Sequence, residues 1–177
     1  MIISLRYLLI FFVIFYFNIS SSFPSSETFT NHVTIEVPSY LFIGSDQKDL
    51  NFSFSDYKEG AETNAQMVTY QVRGNHMMQA EGAPAVTAKL DGTFPNIDFK
   101  VQVGTFIKEG GDTELGPLSS AFISLGESET PIAAKKNSIG DGKLLRGQIV
   151  MTYKAVAKSR LTSGEYSHQL MVTLTDV

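Results

Sequence analysis

The chain has 177 residues, with 14 Lys and Arg against 18 Asp and Glu and a formal net charge of −4. Its basic residues are dispersed and form no stripe, which argues against nucleic acid or an anionic membrane surface as partner. Cysteine and tryptophan are absent, so thiol catalysis, Cys-held zinc and disulfide staples are excluded, and a core must be built from aliphatic side chains, Phe and Tyr.

The N-terminus reads as a targeting segment. Arg6 precedes an unbroken apolar run, Tyr7–Phe17, and small polar residues Ser20, Ser21 and Ser22 follow. A basic start, a short apolar middle and a small-residue zone predict a cleaved secretion signal over residues 1–22, cut between Ser20 and Ser26. A retained anchor is the alternative, but the run is shorter than the about 20 residues that a spanning helix needs. Removing Arg6 leaves thirteen basic against eighteen acidic residues, a net of about −5. The rest divides into residues 23–37, an extension or first strand, and residues 38–177, a single body.

In the extension, Val33, Ile35 and Val37 alternate with Thr34 and Glu36, with Phe29 in the same phase; Pro38 interrupts the pattern. Such alternation predicts a strand with one dry face, and the proline fits an edge position or a switch between sheets. Apolar content resumes at 40–43 before a turn at Gly44-Ser45-Asp46. Further strands are expected at Leu50–Phe54, with Leu50, Phe52 and Phe54 inward, and at Gln66–Arg73, with Val68, Tyr70 and Val72 inward. A loop separates these two, and residues 77–83 stay ambiguous. Ala85–Leu90 followed by Asp91-Gly92 and Thr93-Phe94 predicts a tight hairpin, because Asp-Gly tolerates the positive φ angles such turns use. Ile97–Ile107 is the clearest central strand, with Ile97, Phe99, Val101 and Val103 on one face. Residues 115–125 fit a strand or one helical turn feeding a strand, and 126–142 read as a loop with a short strand at 131–134.

The last stretch, from Leu145, predicts two strands joined by a turn, Gln148–Val156 and Tyr166–Thr175. On the second, Tyr166, Leu170, Val172 and Leu174 share a face with His168, and Ser167, Gln169, Met171, Thr173 and Thr175 form the other. Seven to nine short strands with frequent turn signals and no long helical periodicity predict an all-β, immunoglobulin-like sandwich.

Catalytic and metal-binding patterns are sparse. His32, His76 and His168 fall in no spaced cluster, and His168 is expected to be satisfied at the rim of a dry face. Ile139-Gly140-Asp141-Gly142-Lys143 lacks the alternating oxygen ligands of a calcium loop and reads as a turn. Glu109, Asp112 and Glu114 are expected in a solvated loop. No Gly-x-Ser-x-Gly elbow or phosphate-cradling glycine loop occurs. Asn51-Phe52-Ser53 fits a glycosylation sequon, although Phe52 reads as core. The chain is therefore expected to have no enzymatic activity, cofactor or metal.

Two stretches carry a resemblance. The C-terminal series Gly164-Glu165-Tyr166 followed by Leu170-Met171-Val172-Thr173-Leu174-Thr175 resembles the closing strand of secreted bacterial fimbrial subunits. The series Asn31-His32-Val33-Thr34-Ile35-Glu36-Val37-Pro38 resembles the N-terminal extension of cysteine-free, colonisation-factor type chaperone–usher pilins; spore-coat-U-like secreted proteins share the same ending. The resemblance implies a sandwich lacking one strand, completed when a neighbour's extension enters its groove. The donor residues would be Phe29, Val33, Ile35 and Val37, and the acceptor groove edge Tyr166, Leu170, Val172 and Leu174. Four such side chains at about 1.5–3 kcal/mol each give an attraction on the order of 6–12 kcal/mol before ordering costs. It further implies copies of itself or related subunits as partners, a periplasmic chaperone, an outer-membrane usher, a host surface receptor, and export through the periplasm to the cell surface. The alternative is a self-complete exported sandwich that binds glycan or peptide, with Val33–Val37 as the first strand of its own sheet.

Overall fold

The structure is a computed structural model that describes residues 34–136 and 142–176. It divides into two units, residues 1–37 and 38–177. Of the first, residues 34–37 are described; they carry no strand assignment, and Ile35 and Val37 are 81% and 74% exposed. Phe29, His32 and Val33 lie outside the described residues, as does the expected signal over 1–22.

Among its described residues, the second unit is an antiparallel β-sandwich of nine strands. One sheet has five: β1 (Leu41–Ser45), β2 (Gln66–Gly74), β4 (Ile97–Gly111), β6 (Ile123–Leu125) and β8 (Leu145–Ala157). Its spatial order is β1-β2-β8-β4-β6. The other has four: β3 (Pro84–Leu90), β5 (Glu114–Pro117), β7 (Thr130–Lys136) and β9 (Leu170–Leu174), in the order β5-β7-β3-β9. Every neighbouring pair is antiparallel. No helix of the described residues is long and apolar enough to cross a membrane.

Alternation builds both inner faces. On β8, Leu145, Ile149, Met151 and Tyr153 point inward and are fully buried, while Gln148, Val150, Thr152 and Lys154 face outward. Val68 and Val72 of β2 and Val101 of β4 extend this face, and Val86, Ile132 and Leu115 oppose it from the second sheet. Each such side chain contributes about 1.5–3 kcal/mol by leaving water. Tyr153 carries the centre: its ring stacks on Phe99 at 5.8 Å, and its hydroxyl lies 3.0 Å from that of Tyr70. Phe99 also meets Phe52 edge-on at 5.5 Å.

Several expectations change. The two C-terminal strands are not a hairpin: β8 is central in the five-stranded sheet, whereas β9 edges the other. Tyr166–Gln169 precede β9 without strand assignment. Ala85–Leu90 and Ile97 onward likewise belong to different sheets, so Asp91-Gly92 opens a crossover, and its left-handed residue is Asn96 (φ 58°). Leu50, Phe52 and Phe54 do turn inward against the core, but their backbone joins neither sheet. Glu109 and Glu114 stand on strands rather than in a loop. Glu109 accepts a hydrogen bond from Gln148 Nε2 at 2.6 Å, Asp112 accepts one from Leu144 N at 2.6 Å, and Glu114 pairs with Lys108 at 3.3 Å. Asp141 lies outside the described residues, while Gly142 has a positive φ and its carbonyl accepts from Thr113 Oγ1.

Candidate functional site

Strand β9 closes the four-stranded sheet, with β3 on one side and no described strand on the other. The β3–β9 ladder fixes which backbone groups face outward. Thr175 N–H donates to Ala85 O at 2.9 Å, and Asp91 N–H donates to Gln169 O at 3.0 Å. In an antiparallel pair, bonded and non-bonded residue pairs alternate. The odd-numbered residues 169, 171, 173 and 175 therefore bond to β3. The N–H and C=O groups of Leu170, Val172 and Leu174 point to the open side.

The same three residues face the core by side chain. Leu174 is buried, whereas Leu170 and Val172 are only partly so. Opposite them, Val86, Ala88 and Leu90 on β3 are almost fully buried. The difference follows from position: an interior strand is covered on both flanks, and β9 has one flank open. Strand β1, one edge of the other sheet, comes near β9, so these two edge strands lie on the same flank of the sandwich.

Each end of β9 is pinned by an aspartate. At its start, Asp91 Oδ1 accepts the Gln169 N–H at 2.8 Å and lies 3.0 Å from His168 Nδ1. The Gln169 N–H, helped by His168, holds the Asp91 carboxyl below its ordinary value against the opposing effect of burial. The His168 ring meets Phe94 edge-on at 4.6 Å and sits where a side chain on Gly92 would be. At its end, Asp176 Oδ1 accepts the N–H groups of Met78 at 2.6 Å and Gln79 at 3.1 Å, with His76 Nδ1 3.8 Å from Oδ2. A cleft of about 390 Å³ opens here, lined by Ser39, Tyr40, Leu41, His76 and Asp176. Asn75 holds its near wall by accepting from Tyr40 N at 2.8 Å and donating to Pro38 O at 2.9 Å.

Of the acceptor residues expected from sequence, the structure brings Leu170, Val172 and Leu174 onto one row. Tyr166 is apart from them, 42% exposed and outside β9. Of the donor residues, Ile35 and Val37 are exposed, and Phe29 and Val33 lie outside the described residues. From sequence, Asp91 is marked only as a turn residue and Asp176 not at all, although Asp176 continues the 168–174 phase by one step.

Comparison with protein-family models, with curated proteins and with solved structures gives no match. Among the described residues, no group of three or more His, Asp or Glu side chains converges as a metal ligand set would. Among the described residues, no backbone group pairs with the N–H and C=O groups of Leu170, Val172 and Leu174 on this side, and a partly covered apolar row lies beneath them. That is the equipment for main-chain recognition of an extended peptide.

Proposed function

We propose that this chain is an exported, non-enzymatic structural or adhesive subunit, pilin-like, that assembles by β-strand donation. One observation carries the reading: β9 exposes the backbone of Leu170, Val172 and Leu174 while their side chains line a partly covered core. An added strand satisfies both at once, gaining ladder hydrogen bonds and burying alternate apolar side chains. The chain carries a matching donor in Val33-Thr34-Ile35-Glu36-Val37, of which Ile35 and Val37 are exposed. The apolar run after Arg6 supports export, and the resemblance adds a periplasmic chaperone, an outer-membrane usher and a surface location.

A self-complete binding module is the second reading. It is favoured by a cleft of about 250 Å³ lined by Phe94 and Phe99 together with Asp98, Ser124 and Lys158, a mixed apolar and polar composition suited to a sugar ring.

The test is the full chain purified from its own cell surface, analysed unboiled by gel and by electron microscopy. The expected result is a polymer ladder that Ile35→Asp abolishes while the circular dichroism of the body is unchanged. A wild-type chain that runs only as monomer, or a ladder that persists in Ile35→Asp, sinks the proposal.

A further inference from the structure

The inward row of β9 can be followed beyond the strand at both ends. Side chains alternate on extended chain, so the row reads His168, Leu170, Val172, Leu174, Asp176: three apolar positions between two polar ones. Neither polar end is free to move aside. His168 is wedged between Asp91 and the Phe94 ring, and Asp176 is fastened to the backbone of the loop at Met78 and Gln79. Both anchors come from elements that cross from one sheet to the other. The Asp91–Asn96 connection links β3 to β4, and the Asn75–Ala83 connection links β2 to β3.

We infer that Asp91 with His168, and Asp176, close the two ends of the apolar trough along β9, so that it accepts three alternate apolar side chains and no fourth. This rests on the strand-donation reading and narrows it. The occupant is residues 33–37 of a second copy, with Val33, Ile35 and Val37 at i, i+2 and i+4, matched to the backbone groups of Leu170, Val172 and Leu174 that point away from β3. Phe29 lies in the same phase but four residues upstream, with Asn31 between. A three-position trough filled by 33, 35 and 37 leaves both Asn31 and Phe29 outside it. Phe29 thereby drops out of the donor set of four suggested by sequence.

The experiment measures binding of a fluorescein-labelled peptide spanning residues 28–39 to the full chain carrying Ile35→Asp, so that the acceptor's own extension does not compete. Substitution of Val33, Ile35 or Val37 by Asp in the peptide is expected to weaken binding by about tenfold or more each, since each loses a buried side chain. Phe29→Ala is expected to change affinity by less than about threefold, and Asn31→Val to improve it by less than about threefold. A tenfold loss with Phe29→Ala, or a tenfold gain with Asn31→Val, shows a longer trough and overturns the inference while leaving strand donation standing. Absence of saturable binding by the unsubstituted peptide overturns both.

Discussion

The hydroxyl groups of Tyr70 and Tyr153 lie 3.0 Å apart in the core, and that of Tyr153 also lies 3.2 Å from the Met151 sulfur. Each hydroxyl is the other's principal partner, so the two behave as a unit. Tyr153→Phe strands the Tyr70 hydroxyl and is expected to cost about 1–3 kcal/mol. The double variant Tyr70→Phe/Tyr153→Phe is expected to cost less than the two single changes combined, because it leaves no unpaired oxygen. Urea unfolding of the four proteins measures the coupling; simple additivity contradicts it.

The same pair sets an alkaline limit. Burial pushes both phenols above their ordinary value of 10.0, Tyr153 the more strongly. A group whose folded pKa is raised contributes stability that is fully present below its unfolded pKa and is lost as pH climbs toward the folded one. The melting temperature is therefore expected to fall between about pH 10 and about pH 11.5, and to fall less in the double phenylalanine variant. Equal slopes in the two proteins contradict this.

On the acid side the group to watch is Asp91. Its pKa is lowered from 3.8, chiefly by the Gln169 N–H and then by His168. Its contribution is present above the ordinary value and lost as pH falls through the lower folded one. Protection of the Met171 and Thr173 amides, which bond to β3, is expected to drop below about pH 4. Asp91→Asn is expected to lose that pH dependence. Hydrogen exchange measured between about pH 3 and about pH 6 decides it.

Gly147 lies on β8 opposite Lys108 of β4, beside the irregularity that brings Phe106 against it. A methyl group there would overlap both the Ile107 carbonyl oxygen and the Phe106 ring. Gly147→Ala is expected to destabilise by about 1–3 kcal/mol or more, because backbone in a central ladder cannot yield. A change under about 0.5 kcal/mol in urea unfolding would show that β4 can shift.

Lys135 is only 5% exposed, and its Nζ donates to the Met77 carbonyl at 2.8 Å. Lys135→Met keeps the apolar stem and removes the donor, leaving a buried carbonyl unpaired at about 1–3 kcal/mol. Because Met77 belongs to the loop that also holds Asp176, faster exchange at Met78 and Gln79 is expected alongside the lower stability. Stability loss without that local loosening would place the effect elsewhere in the core.

Sequence made the faces legible and the partners much less so. The inward sets of β2 and β4 are those expected, as are Leu170, Val172 and Leu174, because alternation depends only on neighbours along the chain. Pairing depends on which strand lies alongside, and nothing local separates a hairpin from a crossover. Asp91-Gly92 has the chemistry of a tight turn, yet the chain leaves for the other sheet. Phe52 and Phe54 turn inward as a strand would without any ladder. The anchors of β9 were hidden for a similar reason: Asp91 reads as a turn residue and Asp176 as a tail, and their shared role appears only once both meet the ends of one strand.

The position of β8 has a consequence for how the molecule is made. Residues 145–157 form the spine of the five-stranded sheet, joining Gln66–Gly74 on one side to Ile97–Gly111 on the other. Until that late segment arrives, those two earlier segments have no common partner, and their apolar faces must wait uncovered. Long-range closure of this kind is slow and invites aggregation.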